Sequence, residues 1–150
     1  MRQLSWVPVF AVLAMLAFAG RAAEPEYASH GMAGASPSEV YLEYARVMHA
    51  TNSAEAILPF SPQPVAQARA SMAGMSPQQM QQALAFMRSL VPLHPEVLEE
   101  IVDGETATLQ VRGELPGMIG GELEPNRGTV TLVLRAGEWK ISDQSFEQEN

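Results

Sequence analysis

The chain has 150 residues, no cysteine and a formal net charge of −8 at pH 7. That length suits one domain with its own core. The missing cysteines exclude disulfides, thiolate metal sites and a lipid-modified cysteine. The acidic balance speaks against nucleic acid and anionic membrane surfaces as partners; its ordinary use is solubility.

Met1 and Arg2 supply positive charge ahead of an apolar run from Val7 to Ala19, which closes on Ala17-Phe18-Ala19. Small residues at the two positions that a signal peptidase reads mark residues 1–19 as a signal peptide, cleaved after Ala19 or Ala22. The run is shorter than the ~20 residues a helix needs to cross a bilayer, and Pro8 weakens it further. No stable membrane anchor is therefore expected, and the mature chain is expected in the periplasm or outside the cell. Residues 20–35 are small, polar and without periodicity, so they read as a flexible leader ahead of a domain over 36–150.

Ser36-Pro37-Ser38-Glu39 is a capping box with proline at the first helical position. Val40, Tyr41, Tyr44, Val47 and Met48 then form one apolar stripe. Thr51-Asn52 should end this helix, since asparagine tolerates a left-handed stop. His49, near its carbonyl end, is expected to cap it. A short second helix over Ser53 to Leu58 stops before Pro59, and residues 59–64 make a rigid connector. A helical piece around Val65 to Ser71 is broken by Gly74. Ser76, Pro77 and Gln79 repeat the capping device, and Met80, Leu84, Met87 and Val91 predict the buried face of a third helix, widened by Phe86 and Leu90. Pro92 and Pro95 end it.

Beyond Pro95 the period changes to two. Strands are predicted over Glu96–Val102, Glu105–Gly113, Gly128–Arg135 and Glu138–Phe146, with hairpin turns at Asp103-Gly104 and Ala136-Gly137. Ala107, Leu109 and Val111 share one face, and Trp139 and Ile141 share one on the last strand. The fold class is α+β: N-terminal helices packed on a curved antiparallel sheet of about four strands.

The order of these pieces, with the strand Gly104 to Val111 and the ending Thr131 to Ile141 containing Gly137-Glu138-Trp139-Lys140-Ile141, resembles the nuclear-transport-factor-2-like superfamily, in particular its small exported bacterial members. The resemblance covers residues 36–147 and implies a cone whose helices close one side of a bent sheet. It implies a ligand pocket lined by Tyr41, Tyr44, Met48, Met87, Glu100, Leu109 and Trp139. A departure lies at residues 59–75, where many members place strands and this chain carries proline, alanine and glutamine.

Active members of that superfamily bury an acid or base in the cone. Here no such set stands out, so no catalytic residue is assigned. Glu100 is the one carboxylate whose register, opposite Ala107, would turn it toward the pocket; a bulge in the strand or a wet sheet margin is the preferred account of it. His30, His49 and His94 lack metal-ligand spacing. Met72, Met75 and Met80, with His30-Gly31-Met32, form a set of soft donors suited to Cu(I), although Met80 and Met87 also fit a core stripe. Gly113 to Arg127 is rich in glycine but carries glutamates and no P-loop lysine, which excludes a phosphate cradle; Met118 and Ile119 at its tip could touch a partner or cover a pocket mouth. These observations favour a non-catalytic, exported binding or accessory module without a cofactor. Its partner would be a small apolar molecule or a protein, and a homodimer could form through the outer sheet face bearing Thr106, Thr108, Thr129 and Thr131. The alternatives are a small-molecule isomerase, dehydratase or hydrolase, and a copper-handling protein.

Overall fold

A computed structural model describes residues 24–117 and 120–150. The expected signal peptide, residues 20–23 of the leader, Met118 and Ile119 lie outside the described residues.

The first capping box forms as its sequence dictates. The Glu39 N–H donates to Ser36 Oγ at 3.2 Å, and Glu39 Oε2 accepts the Ser36 N–H at 2.7 Å. Helix α1 runs Pro37–Ala50 and buries Val40, Tyr41, Tyr44, Ala45 and Met48. It does not end on a left-handed residue: Thr51 is extended at the C-cap. Its exposed carbonyls are taken by a cation from elsewhere in the chain, since Arg88 donates to Met48 O at 3.1 Å and to Thr51 O at 2.6 Å. His49 likewise caps no carbonyl of its own helix; its Nε2 donates to Val91 O at 2.9 Å.

The predicted second helix is two 3₁₀ turns, Ala54–Ala56 and Leu58–Phe60. Pro59 has no N–H to continue an α-helix, and the i to i+3 bonds Ile57 N–H to Ala54 O and Phe60 N–H to Ile57 O close the turns instead. Helix α2 spans Val65–Met72 and α3 spans Pro77–Ser89, the latter opened by the Ser76–Gln79 capping box. Among the described residues no strand occupies 59–75.

Helix α3 departs from its predicted stripe. Leu84 is its one buried residue, while Phe86 is 66% exposed, Leu90 44% and Met87 39%. It is α1 that lies across the sheet. The tail of α3 is fastened to α1 through Arg88 and the buried Val91, which leaves much of its apolar face in the open.

Four antiparallel strands follow in sequence order: β1 Leu93–Asp103, β2 Thr106–Pro116, β3 Leu123–Arg135 and β4 Glu138–Gln148. The first hairpin turn falls on Gly104-Glu105, one residue later than predicted, because Asp103 pairs with Thr106. Gly104 then takes the left-handed first central position (φ +60), which glycine accepts without strain. This shift places Glu100 opposite Leu109, not Ala107. β2 and β3 pair as far as Pro116 and Leu123, so most of the Gly113 to Arg127 segment is strand. Ala107, Leu109, Val111, Val130 and Leu132 form the floor of the core, joined by Trp139 and by Tyr41, Tyr44 and Met48 of α1. Register irregularities interrupt β1 and the β3–β4 ladder, and bulges of this kind bend a strand and increase its twist.

Residues 24–35 belong to the segment 20–35 that the sequence reads as a leader without periodicity. They form a strap over the start of β4. The Ser29 hydroxyl donates to Glu138 Oε1 at 2.6 Å, the His30 N–H to Glu138 Oε2 at 3.1 Å, and His30 Nε2 to Trp139 O at 3.0 Å. Lys140 is 1% exposed and donates to Ala28 O at 2.6 Å, Pro59 O at 2.5 Å and Glu138 Oε2 at 3.2 Å. Farther back, Glu26 O accepts the N–H of Val65 at the head of α2. A segment with no apolar period is thus ordered by polar pairing, with Met32 and Ala35 adding packing against the core.

Candidate functional site

The bulge in β4 sits where Thr131 pairs with Asp143 and Leu132 with Ile141, leaving Ser142 as the extra residue. This stretch of β4 faces the second 3₁₀ turn and the tail of α3 across an open groove of 370 Å³. Tyr44 comes from α1, Ile57 and Phe60 from the 3₁₀ turns, Met87 and Leu90 from the α3 end, and Ile141 to Gln144 from β4. The groove exists because α3 stands away from the sheet: the apolar residues that would have closed it remain at its lip.

Its walls are braced by aromatic contacts. The Phe60 ring centre lies 5.6 Å from that of Tyr44, and His30 of the strap stacks on Phe60 at 5.2 Å. The His30 ring is fixed by two bonds, Nε2 donating to Trp139 O and Nδ1 accepting the Met32 N–H at 3.2 Å. Burial pushes the Tyr44 hydroxyl above the ordinary phenol range, the neighbouring Gln144 side chain acting the other way. Burial pushes the Tyr41 hydroxyl up as well, with nearby Tyr44 adding to it, and this hydroxyl has no hydrogen-bond partner within the protein. The Gln144 Oε1 is likewise buried and unpartnered. Buried acceptors are ordinarily satisfied, and each orphan costs about 1–3 kcal/mol.

Of the residues expected to line a pocket, Tyr44 and Met87 meet in this groove. Tyr41, Met48, Leu109 and Trp139 are core residues behind it. Glu100 is elsewhere altogether. It is exposed at the β1 margin, where its Oε2 accepts the Ser38 N–H at 2.8 Å and also the Ser38 hydroxyl. There it satisfies an orphan donor in the first turn of α1 and complements the positive end of the helix. Sequence reading missed Phe60 and Gln144, and it gave Glu138 and Lys140 no role. The only available signal for Lys140 was its singularity, as the one lysine in the chain.

Further hollows are present among the described residues. A 220 Å³ cleft continues from the groove through Ile57, Ser61 and Met87 into the space between α2 and α3. A wider polar hollow of 670 Å³ lies along the other side of the sheet, bordered by Gln110, Arg112, Arg127, Thr129 and Ser145. Arg112 is engaged there by Glu149 at 3.2 Å. The polar hollow is the larger, but the groove has the apolar wall with few convergent polar atoms that characterises small-molecule sites.

No protein-family profile and no curated protein matches the chain. Among solved structures, similarity is found to a protein described as a calcium/calmodulin dependent protein kinase II association domain from Xanthomonas campestris. The two are 12% identical, with 83% of this chain and 94% of that chain covered and a TM-score of 0.44. A protein described as a SnoaL-like polyketide cyclase from Mesorhizobium loti is 14% identical, covering 75% of this chain and 99% of that one with a TM-score of 0.34. At these TM-scores the α+β assignment rests on the topology of the chain itself: helices packed on a four-stranded antiparallel sheet.

Proposed function

We propose that this chain is an exported, non-catalytic binding module of the nuclear-transport-factor-2-like superfamily, and that it holds a small apolar molecule in the groove between α3 and β4. The observation that carries the reading is the groove itself, walled by Tyr44, Ile57, Phe60, Met87, Leu90 and Ile141 and left open at an exposed apolar lip. The orphaned Gln144 Oε1 favours a ligand that brings one hydroxyl or N–H to an otherwise apolar body. Tyr44, with its hydroxyl held above the ordinary range, stays protonated at neutral pH and can donate a hydrogen bond without acting as a base. Asp143 stands exposed at the rim. Export is supported by the apolar run and small-residue ending of residues 1–19.

Titration of the full chain with a neutral naphthylamine dye tests this reading. Dye emission should rise and saturate, and Met87→Asp with Leu90→Asp should weaken binding about tenfold or more, since apolar area is replaced by charge. Both positions are partly exposed, so circular dichroism should be unchanged. Equal binding by the double variant would overturn the assignment of the groove.

A further inference from the structure

Four methionines from neighbouring pieces of chain meet around the 220 Å³ cleft. Met72 closes α2, Met75 follows the Gly74 turn, and Met80 and Met87 lie two turns apart along α3. The turn is tight: the Met75 N–H donates to Met72 O at 3.0 Å. Methionine used as core filler is buried, as Met48 is. Here Met75 and Met87 are exposed and Met72 and Met80 half-buried, so all four line a surface opening, with Met80 also packing against the core.

The other lining residues are apolar or neutral, with Ser61, Gln63 and Ser71 the polar ones; no charged residue and no histidine lines the cleft. A thioether is a soft, uncharged donor. Hard cations such as Mg²⁺ and Ca²⁺ gain nothing from it, and Zn²⁺ is ordinarily held by nitrogen, thiolate or carboxylate donors that the cleft lacks, whereas Cu(I) is favoured. The net charge of −8 draws a small cation toward the molecule. His30 and Met32, which the sequence offered as further ligands, do not belong to the set: both His30 ring nitrogens are hydrogen-bonded and Met32 does not line the cleft.

We propose that Met72, Met75 and Met80 form a Cu(I) site built from thioether sulfur alone, a property beyond the apolar-ligand reading that uses no residue of the groove. Coordination displaces no proton, because a thioether carries none. The affinity is therefore flat between about pH 6 and pH 8, where a site built on imidazole weakens with acid.

The test is an anaerobic titration of the full chain with Cu(I), competed by a bicinchoninate chelator, at both ends of that range. Met72→Leu with Met75→Leu preserves volume and leaves the groove residues in place. The wild-type chain should withdraw one Cu(I) from the chelator with the same affinity at both pH values, and the double variant should bind about tenfold more weakly or worse. No withdrawal, an affinity that falls in acid, or an unchanged affinity in the variant would each overturn the site. Silver(I) gives a second measurement that needs no variant: mapped peroxide oxidation should spare Met72 and Met75 when Ag(I) is bound, and equal oxidation with and without it would also overturn the proposal. The dye titration reports on the groove separately, so failure of either proposal is distinguishable from failure of the other.

Discussion

The strap over β4 and the exposed face of α3 are opposite solutions to one problem. The strap has almost no apolar pattern, yet it is tied down because its polar groups meet Glu138, Lys140 and the Trp139 carbonyl. Helix α3 has a clear apolar stripe, yet Phe86, Met87 and Leu90 stand in the open. Order in this molecule follows from having partners, and an apolar stripe without one stays open to solvent. The groove lies between the two regions, and Phe60 touches both, stacking on His30 of the strap and packing on Tyr44 of the groove wall.

The largest effect should come from the strap. Lys140→Met leaves Glu138 and two backbone carbonyls without their buried donor, and unpairing a buried charge costs about 3–5 kcal/mol. Urea denaturation should show that loss, and Lys140→Met combined with Glu138→Gln should cost less than the sum of the single changes. A loss within experimental error for Lys140→Met would show that the strap is not held as described.

The same lock has a pH signature. Burial alone would raise the Glu138 carboxyl, but bonds from Ser29, the His30 backbone and Lys140 outweigh it and hold the group at about 2 against an ordinary 4.5. A depressed carboxyl contributes stability in full above its unfolded pKa, and that contribution drains away as pH falls through the folded one. Stability should therefore decline from about pH 4.5 toward pH 2, with a shallower decline in Glu138→Gln followed by denaturant titration across that window.

On the α3 side the effects should split by position. Leu84→Ala removes the helix's buried anchor and should cost about 2–4 kcal/mol by urea denaturation. Phe86→Ser, at the most exposed apolar position of the helix, should change stability by no more than about 0.5 kcal/mol. If the two cost the same, α3 packs along its whole length and the groove is closed.

What the sequence made legible was local. Both capping boxes, at Ser36 and Ser76, formed with their predicted partners, because every atom involved lies within three residues. The strand period placed Ala107, Leu109 and Val111 correctly on the core face. What stayed hidden was long-range. Ser29 finds Glu138 and Lys140 finds Ala28 across more than a hundred residues, and no period encodes such a pairing. The turn shift at Gly104 moved the partner of Glu100 from Ala107 to Leu109 but kept its face; it misses the groove because β1 is an edge strand, where its carboxylate meets Ser38. The stripe of α3 correctly announced a helix, but a stripe says which face is apolar, not whether anything covers it.

The groove is tested most directly by following the methionine methyl groups of the full chain, carbon-labelled, by NMR while the neutral dye is added. Met87 lines the groove and Met48 lies sealed in the core behind it. The Met87 signal should shift progressively and saturate with the dye, while that of Met48 stays in place. A stationary Met87 signal at saturating dye, or shifts confined to other methionines, would contradict the account.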